Sequence, residues 1–172
     1  LLHSVLDRLS NGEDVNIEEE WIEEAGEQFK AALRKQVTPR DQTFRIRMSN
    51  IGRPLCQLQM GKADTPKSRM PYNHIVRMMI GDASEVIARL IMKAADVNVT
   101  SDGDRVTLDV DGHIIKGDSD IDIDGAVWDV KSASQWAFEN KWLKGYSSLR
   151  ESDGFGYIGK LFGYADAQEK PA

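Results

Sequence analysis

Acidic and apolar side chains alternate over residues 120–124, and a glycine follows directly. A period of two is typical of a β-strand, and the pair Asp124-Gly125 predicts a two-residue hairpin turn. A hairpin built on that turn places Asp120 directly opposite Asp129. Side chains so opposed lie about 5 Å apart at Cβ, so two carboxylates repel each other there unless a positive charge lies between them. The spacing therefore predicts a divalent cation site.

Other charged groups are predicted to lie near this pair. Lys131 comes two residues after Asp129 and leaves the same face of the strand. Glu85, in a predicted helix upstream, supplies a third carboxylate, and the carbonyl of Val130 is a further candidate ligand. Hard oxygen ligands suit Mg2+ or Mn2+, which polarises a phosphoryl oxygen and helps to generate hydroxide. Lys131 would then stabilise developing charge or orient water. The alternative is a set of surface acids on an exposed hairpin.

A calcium-binding EF-hand is the other site that this acidic run suggests. Asp120, Asp122, Asp124 and Gly125 match the first half of such a loop. The twelfth position, which should be a bidentate glutamate, is Lys131. The sequence therefore argues against an EF-hand.

The order of the acids and the lysine resembles a known signature. Gly117-x-x-Asp120, eight intervening residues and then Asp129-x-Lys131 look like the motif of PD-(D/E)XK nucleases. The likeness is greatest to the branch that contains RecB-type nuclease domains and phage lambda-type exonucleases. It covers roughly the last 125 residues of the chain.

The resemblance also includes the helix before the hairpin. The family has a glycine there, three residues and then a His or Glu metal ligand, and Gly81 and Glu85 match that pattern. The resemblance implies a restriction-endonuclease-like α/β (α+β) core: a helix, a three-strand antiparallel meander and further helices. It implies that Glu85, Asp120, Asp129 and Lys131 are the catalytic residues.

The activity that the resemblance implies is metal-dependent hydrolysis of DNA phosphodiester bonds. Within the branch, we expect an exonuclease of phage or bacterial recombination and repair, with Mg2+ or Mn2+ as cofactor and DNA as partner. The expected location is the cytoplasm, or the host cytoplasm for a phage protein. A single cysteine in the chain agrees with an intracellular protein.

Two further motifs of the family can be compared with this chain. Ser49, Gly52 and Cys56 resemble an upstream Ser-x-x-Gly-x-x-x-Cys helix, but one cysteine excludes the iron-sulfur cluster that some members bind. The last helix resembles a Gln-x-x-x-Tyr motif in which Lys160 replaces the glutamine and Tyr164 is the tyrosine. Lys160 keeps a phosphate-binding group there, whereas Tyr164 is equally compatible with a place in the core.

The net charge of −6 is distributed unevenly. Residues 34–77 carry 10 basic and 2 acidic side chains, whereas residues 1–33 carry 2 basic and 9 acidic side chains. Such a basic island can neutralise phosphates, which dominate nucleic-acid affinity. It is equally compatible with a solvated face that pairs with the acidic N-terminal third. The predicted DNA-binding residues are Arg45, Arg47, Ser49, Arg53, Lys160 and Tyr164.

Periodicity and turn signals divide the chain into an N-terminal acidic helical extension, 1–43, and a nuclease core, 44–172. We expect a helix over 17–36 with Trp21 and Phe29 in the core, and a long, deeply buried helix over 72–95. The core of the family has one more strand, so we expect the chain to be incomplete. We expect a strand from another segment, from another subunit or from a C-terminal extension to cover that sheet edge. The remaining expected elements are an extended segment 44–48, a helix capped by Ser49, a loop 61–72, strands 105–110, 113–123 and 126–131, a helix from Ser134, a loose stretch 145–156 and a helix 155–168.

Two other functions are compatible with the sequence. One is a nucleic-acid-binding protein on a degenerate nuclease fold, in which the basic island binds and the acidic hairpin is structural. The other is an interaction module that presents the Glu-rich helix of residues 17–30 to a partner protein. A homo-oligomer is also possible. No apolar run reaches the roughly 20 residues of a membrane span, so we expect no membrane partner.

Overall fold

The structure is a computed structural model that describes residues 2–39, 43–63, 65–66, 69–101, 103–151 and 153–171. It has a mixed α+β architecture. The chain divides into two compact units. The first consists of residues 1–41, 68–99 and 130–132, and the second of residues 42–67, 100–129 and 133–172. The first unit therefore includes residues 1–41 of the predicted N-terminal extension and also the long helix that was expected in the nuclease core.

The helices and strands are numbered in chain order. The α-helices are α1 Leu2–Ser10, α2 Glu19–Val37, α3 Leu55–Lys62, α4 Tyr72–Ala94, α5 Gln135–Ala137, α6 Gly145–Glu151 and α7 Tyr157–Gln168. The strands are β1 Val99–Ser101, β2 Arg105–Val110, β3 His113–Asp118, β4 Ile121–Ile123 and β5 Ala126–Trp128. A 3-10 turn covers Met48–Asn50, and a π-helical segment covers Phe138–Trp142. In the part of the chain that the structure describes, no helix combines the length and apolarity needed to cross a bilayer.

The first unit is helical. The expected helix over 17–36 is confirmed as α2, which packs against α4. Gln36 Nε2 donates a hydrogen bond to Asp82 Oδ2 at 2.6 Å across this pair of helices. The prediction that Phe29 belongs to the core is wrong, because its side chain is exposed, and Trp21 is only half-buried. The apolar core of this unit forms instead among Val5, Val15 and Ala95.

Helix α4 has the predicted length but not the predicted burial. Among its described side chains, Met92 alone is buried, while Val76, Ile80 and Ile87 are exposed. Within this unit α1 and α2 pack against it, and two neighbouring helices cover only part of its circumference. Gly81 does not interrupt the helix, and a Cβ there would lie no closer than 3.8 Å to another group. No close packing therefore requires a glycine at that position.

The second unit contains two small sheets instead of the expected three-strand meander. Strands β2 and β3 form an antiparallel hairpin, and β1, β4 and β5 form a sheet in the order β1-β4-β5. The predicted strand over 113–123 is interrupted at Ser119, whose N–H donates to the carbonyl of Asp104. Because the chain leaves the β2-β3 ladder there, residues 121–123 pair in the other sheet. The predicted strand over 126–131 also ends early, at Trp128.

The hairpin of β4 and β5 has the predicted turn and register. Asp124 and Gly125 both have positive φ, 51° and 78°, as a type I′ turn requires. Ile123 pairs with Ala126, and Ile121 pairs with Trp128. Local turn chemistry therefore determines this register.

The core of the second unit joins both sheets to α7, which packs against β2 and β5. Gly117 on β3 allows this packing, because a Cβ there would lie 2.4 Å from Met48 Cβ and 2.8 Å from the Tyr164 hydroxyl. The glycine of the Gly117-x-x-Asp120 motif is thus required by close packing. The buried members of this core are Met48, Val106, Ile115, Val127, Tyr164 and Ala165.

Residues 44–62 differ from their predicted structure. Ser49 lies within the 3-10 turn and does not cap a helix; α3 begins at Leu55, after Pro54. Proline at 54 disfavours helical backbone at residue 53, which agrees with a helix start after that residue. The extended segment 44–48 forms no strand, although Arg47 makes an isolated parallel bridge with Lys116.

The C-terminal helices confirm most of the predicted boundaries. Ser134 caps α5, with its hydroxyl accepting a hydrogen bond from the amide of Ala137 at 3.3 Å. The stretch 145–156 was expected to be loose, but it contains α6. The free edge of β5 is partly covered, because the amide of Val127 donates to the carbonyl of Pro171 at 2.9 Å. The end of the chain thus contacts this edge through one hydrogen bond, and the expected additional strand stays a prediction.

Candidate functional site

Asp120 and Asp129 converge on one ammonium group. Lys160 Nζ lies 2.7 Å from Asp129 Oδ1 and 3.7 Å from Asp120 Oδ1. All three side chains are largely buried: Lys160 is 16% exposed, Asp129 is 11% exposed and Asp120 is 15% exposed. The sequence predicted two opposed carboxylates with a positive charge between them. In this structure that charge is the lysine.

The hairpin positions the two acids. Asp120 precedes Ile121 and Asp129 follows Trp128, and those two residues form the last pair of the β4-β5 ladder. The carboxylates therefore lie just beyond the open end of the hairpin, and eight residues separate them in the sequence. Like charges so close are destabilising when uncompensated, and the ammonium offsets this repulsion.

Helix α7 positions the lysine. Its N-terminus is capped by Asp153, whose carboxylate accepts hydrogen bonds from the amides of Tyr157 and Ile158 at 2.8 and 2.9 Å. Lys160 lies in the first turn, and its Nζ is 5.4 Å from the centre of the Tyr164 ring. A cation over an aromatic face is attracted to it electrostatically. The ring and the two carboxylates thus all attract the ammonium.

Helix α7 is also held by close backbone packing. A Cβ on Gly52 would lie 2.5 Å from the Gly156 carbonyl oxygen, and a Cβ on Gly159 would lie 2.8 Å from Gly52 Cα. Gly52 is the glycine of the Ser-x-x-Gly-x-x-x-Cys motif. Its role in this structure is to let the loop before α3 approach the start of α7. Cys56 of the same motif is exposed.

A second buried charge pair lies on β4. Asp122 is fully buried, and its Oδ2 accepts a hydrogen bond from Lys170 Nζ, which also donates to Gln168 Oε1 at 2.9 Å. Among the described residues, Asp122 Oδ1 has no hydrogen-bond partner. The Asp122 side chain therefore lies in the interior of the protein and not on its surface. No sequence signal connects Lys170 to it, since 48 residues separate the two.

Val130 and Lys131 lie beyond the end of β5. The carbonyl oxygen of Val130, a candidate metal ligand, accepts a hydrogen bond from Lys131 Nζ at 2.9 Å. Both residues belong to the first compact unit, as does the predicted ligand Glu85 on α4. The grouping of Glu85, Val130 and Lys131 with the two aspartates stays a prediction from the sequence.

The donor set at Asp120 and Asp129 suits a hard divalent cation. Mg2+ is commonly bound by one or two carboxylates together with water molecules, and these two carboxylates already share one cation position. In the described part of the chain, no group of three or more His, Cys, Asp or Glu side chains is placed to hold a metal. The two aspartates therefore supply a minimal protein contribution to such a site.

The basic island is exposed wherever it is described. Arg45, Arg47 and Arg53 are exposed in the second unit, as is Ser49. Tyr164 is only 3% exposed and lies in the core, which agrees with the core alternative left open for it. Arg40 and Lys67 lie outside the described residues. The described members of the basic island that belong to the first unit are Arg34, Lys35, Arg69 and Arg77.

Comparison of the chain with protein families, with curated proteins and with solved structures finds no match. A function therefore has to be inferred from the chain's own residues.

Proposed function

We propose that this chain is a metal-dependent DNA nuclease of the PD-(D/E)XK type. One observation carries the proposal: Asp120 and Asp129 converge on a single cation position at the open end of the β4-β5 hairpin. The order of the acids and the lysine in the sequence adds the resemblance to that family. Within it, an exonuclease of phage or bacterial recombination and repair is the finer proposal.

A bound Mg2+ or Mn2+ would polarise the scissile phosphate and lower the pKa of a coordinated water. Asp120 and Asp129 are proposed to hold that ion, with Glu85 and the Val130 carbonyl as further ligands. Lys131 is proposed to stabilise the charge that develops on phosphate oxygens. Arg45, Arg47 and Arg53 are proposed to bind the DNA backbone, because they are exposed guanidinium groups suited to phosphate.

The test compares Asp120→Asn and Asp129→Asn with the matched control Asp118→Asn. Asp118 is the last residue of β3, its side chain is 62% exposed, and it forms an ion pair with Arg105. Mn2+ binding by calorimetry and cleavage of end-labelled linear and closed circular DNA are measured for each variant. We expect both site variants to lose metal binding and cleavage and the control to keep both. Metal binding and cleavage by Asp120→Asn at the parent level would refute the proposal.

Lys131 provides a second, separate test. Lys131→Ala should abolish cleavage but leave DNA affinity nearly intact, because phosphate binding is shared among many basic groups. Affinity is measured with Ca2+ in place of Mg2+ so that the DNA is not cut. An equal loss of cleavage and affinity would assign Lys131 to DNA binding instead.

A nucleic-acid-binding protein without nuclease activity is the second candidate. One observation favours it: Lys160 already offsets the repulsion between Asp120 and Asp129, so the hairpin needs no metal ion for that purpose. This candidate predicts DNA binding in EDTA, no cleavage with any divalent cation, and unchanged DNA affinity in Asp129→Asn. It shares with the first candidate a steep loss of affinity with salt, about 0.7 to 0.9 log units per log unit of salt for each phosphate neutralised.

A further inference from the structure

A lysine ammonium occupies the position at which the proposed nuclease needs its metal. Lys160 Nζ contacts Asp129 Oδ1 and lies within 3.7 Å of Asp120 Oδ1. An ion coordinated by both carboxylates has to lie between them as well. Since Mg2+ binds oxygen at about 2.0 to 2.1 Å, the ion and the ammonium cannot share this space.

The ammonium is a fixed part of the structure. The Lys160 side chain is 16% exposed, its Nζ faces the ring of Tyr164 at 5.4 Å, and that ring is buried. The helix that carries Lys160 is itself held by the Asp153 cap and by the packing of Gly52 on Gly156. Displacing the ammonium therefore removes several interactions together.

We propose that Lys160 is a built-in competitor of the divalent cation. In the metal-free protein it holds Asp120 and Asp129 together and cancels their repulsion. The metal binds only when the ammonium has moved out, since two positive charges a few ångströms apart in a partly buried site repel each other strongly. Lys160 thus sets the affinity for metal. This inference rests on the proposed metal site.

The experiment titrates Mn2+ alone into the full chain and follows the free Mn2+ signal by electron paramagnetic resonance. The parent is compared with Lys160→Gln, with Lys160→Arg, and with Lys144→Gln as an exposed control that loses the same charge. We expect Lys160→Gln to bind Mn2+ at least tenfold more tightly than the parent, which corresponds to about 1.4 kcal/mol. Lys160→Arg and Lys144→Gln should stay close to the parent.

Thermal unfolding gives a second measurement that does not depend on activity. Without metal, Lys160→Gln should melt below the parent because Asp120 and Asp129 are no longer compensated. Saturating Mn2+ should raise its melting temperature by more than it raises that of the parent, since a ligand stabilises according to its affinity. This measurement also shows whether the variant is folded.

The outcomes separate this inference from the proposed function. If the parent binds Mn2+ and cleaves DNA, but Lys160→Gln binds Mn2+ no more tightly, Lys160 is not a competitor and the nuclease proposal stands. If neither protein binds Mn2+ or cleaves DNA while both fold, the metal site is wrong and both proposals fail. Tighter binding by Lys144→Gln as well would show a general charge effect and overturn the role of Lys160.

Discussion

Lys170→Met should destabilise the protein far more than a typical lysine substitution. The reason is Asp122, which is fully buried and forms its ion pair with Lys170. Removing one partner of a buried ion pair leaves an uncompensated charge, at a cost of about 3 to 5 kcal/mol. Because the Lys170 side chain is 32% exposed and water reaches it, we expect the lower end, about 3 kcal/mol.

The matched control is Arg105→Met in the same compact unit. Arg105 and Asp118 form an ion pair at 3.1 Å, but their side chains are 66% and 62% exposed. Exposed pairs contribute about 0 to 1 kcal/mol, so this variant should change stability little. The two substitutions remove one positive charge each, so their difference isolates the effect of burial.

The assay is thermal and urea unfolding of both variants and of the parent. At about 2 to 4 °C per kcal/mol for a chain of this size, Lys170→Met should lower the melting temperature by about 6 to 12 °C. The double variant Asp122→Leu with Lys170→Met should recover part of this loss, because an apolar pair of similar volume leaves no buried charge. A loss for Lys170→Met no larger than for Arg105→Met would refute the reasoning, as would a double variant less stable than the single one.

Of three further predictions, two concern glycine substitutions and the third concerns an ion pair on α2. Gly52→Ala should destabilise the protein by about 1 to 3 kcal/mol, because a Cβ there would lie 2.5 Å from the carbonyl oxygen of Gly156; urea unfolding measures the loss. By the same assay Gly26→Ala should stabilise it by about 0.5 to 1 kcal/mol, because this exposed position on α2 has no neighbour within 4 Å. The hydrogen bond and the charge of Lys30 hold the pKa of Glu27 below its ordinary value, so Lys30→Met should raise it in an NMR titration. The contribution of this pair to stability should be present above the unfolded pKa of Glu27 and disappear as the pH falls through its folded pKa, and an unchanged pKa in Lys30→Met would contradict this.

Much of the local structure was predictable because its signals lie within a few neighbouring residues. The turn at Asp124-Gly125 and the register of Ile121 opposite Trp128 follow from one dipeptide and a period of two. The range of α2 follows from apolar periodicity. The division of residues 113–123 between two sheets was not predictable, because the sheet that contains β4 is completed by β1, which comes from residues 99–101 and is distant in sequence.

Burial was predicted less well than secondary structure. Phe29 and Ile87 have the spacing of a core face, yet they are exposed. Periodicity shows which face of a helix is apolar, but it does not show how much of that face a neighbouring helix covers. Tyr164 is the opposite case, since one isolated tyrosine near a lysine proved to be core.

The sequence by itself determined that Asp120 and Asp129 meet, because a hairpin turn and strand alternation act over only ten residues. Only the tertiary structure decided which charge lies between them. Lys160 is 31 residues beyond Asp129, and it arrives there because glycines at 52 and 156 let α7 pack closely. Lys170 likewise contacts buried Asp122, although 48 residues separate the two in the sequence. Charge compensation between distant segments depends on how the packed elements place their side chains, and no local pattern in the chain encodes that placement.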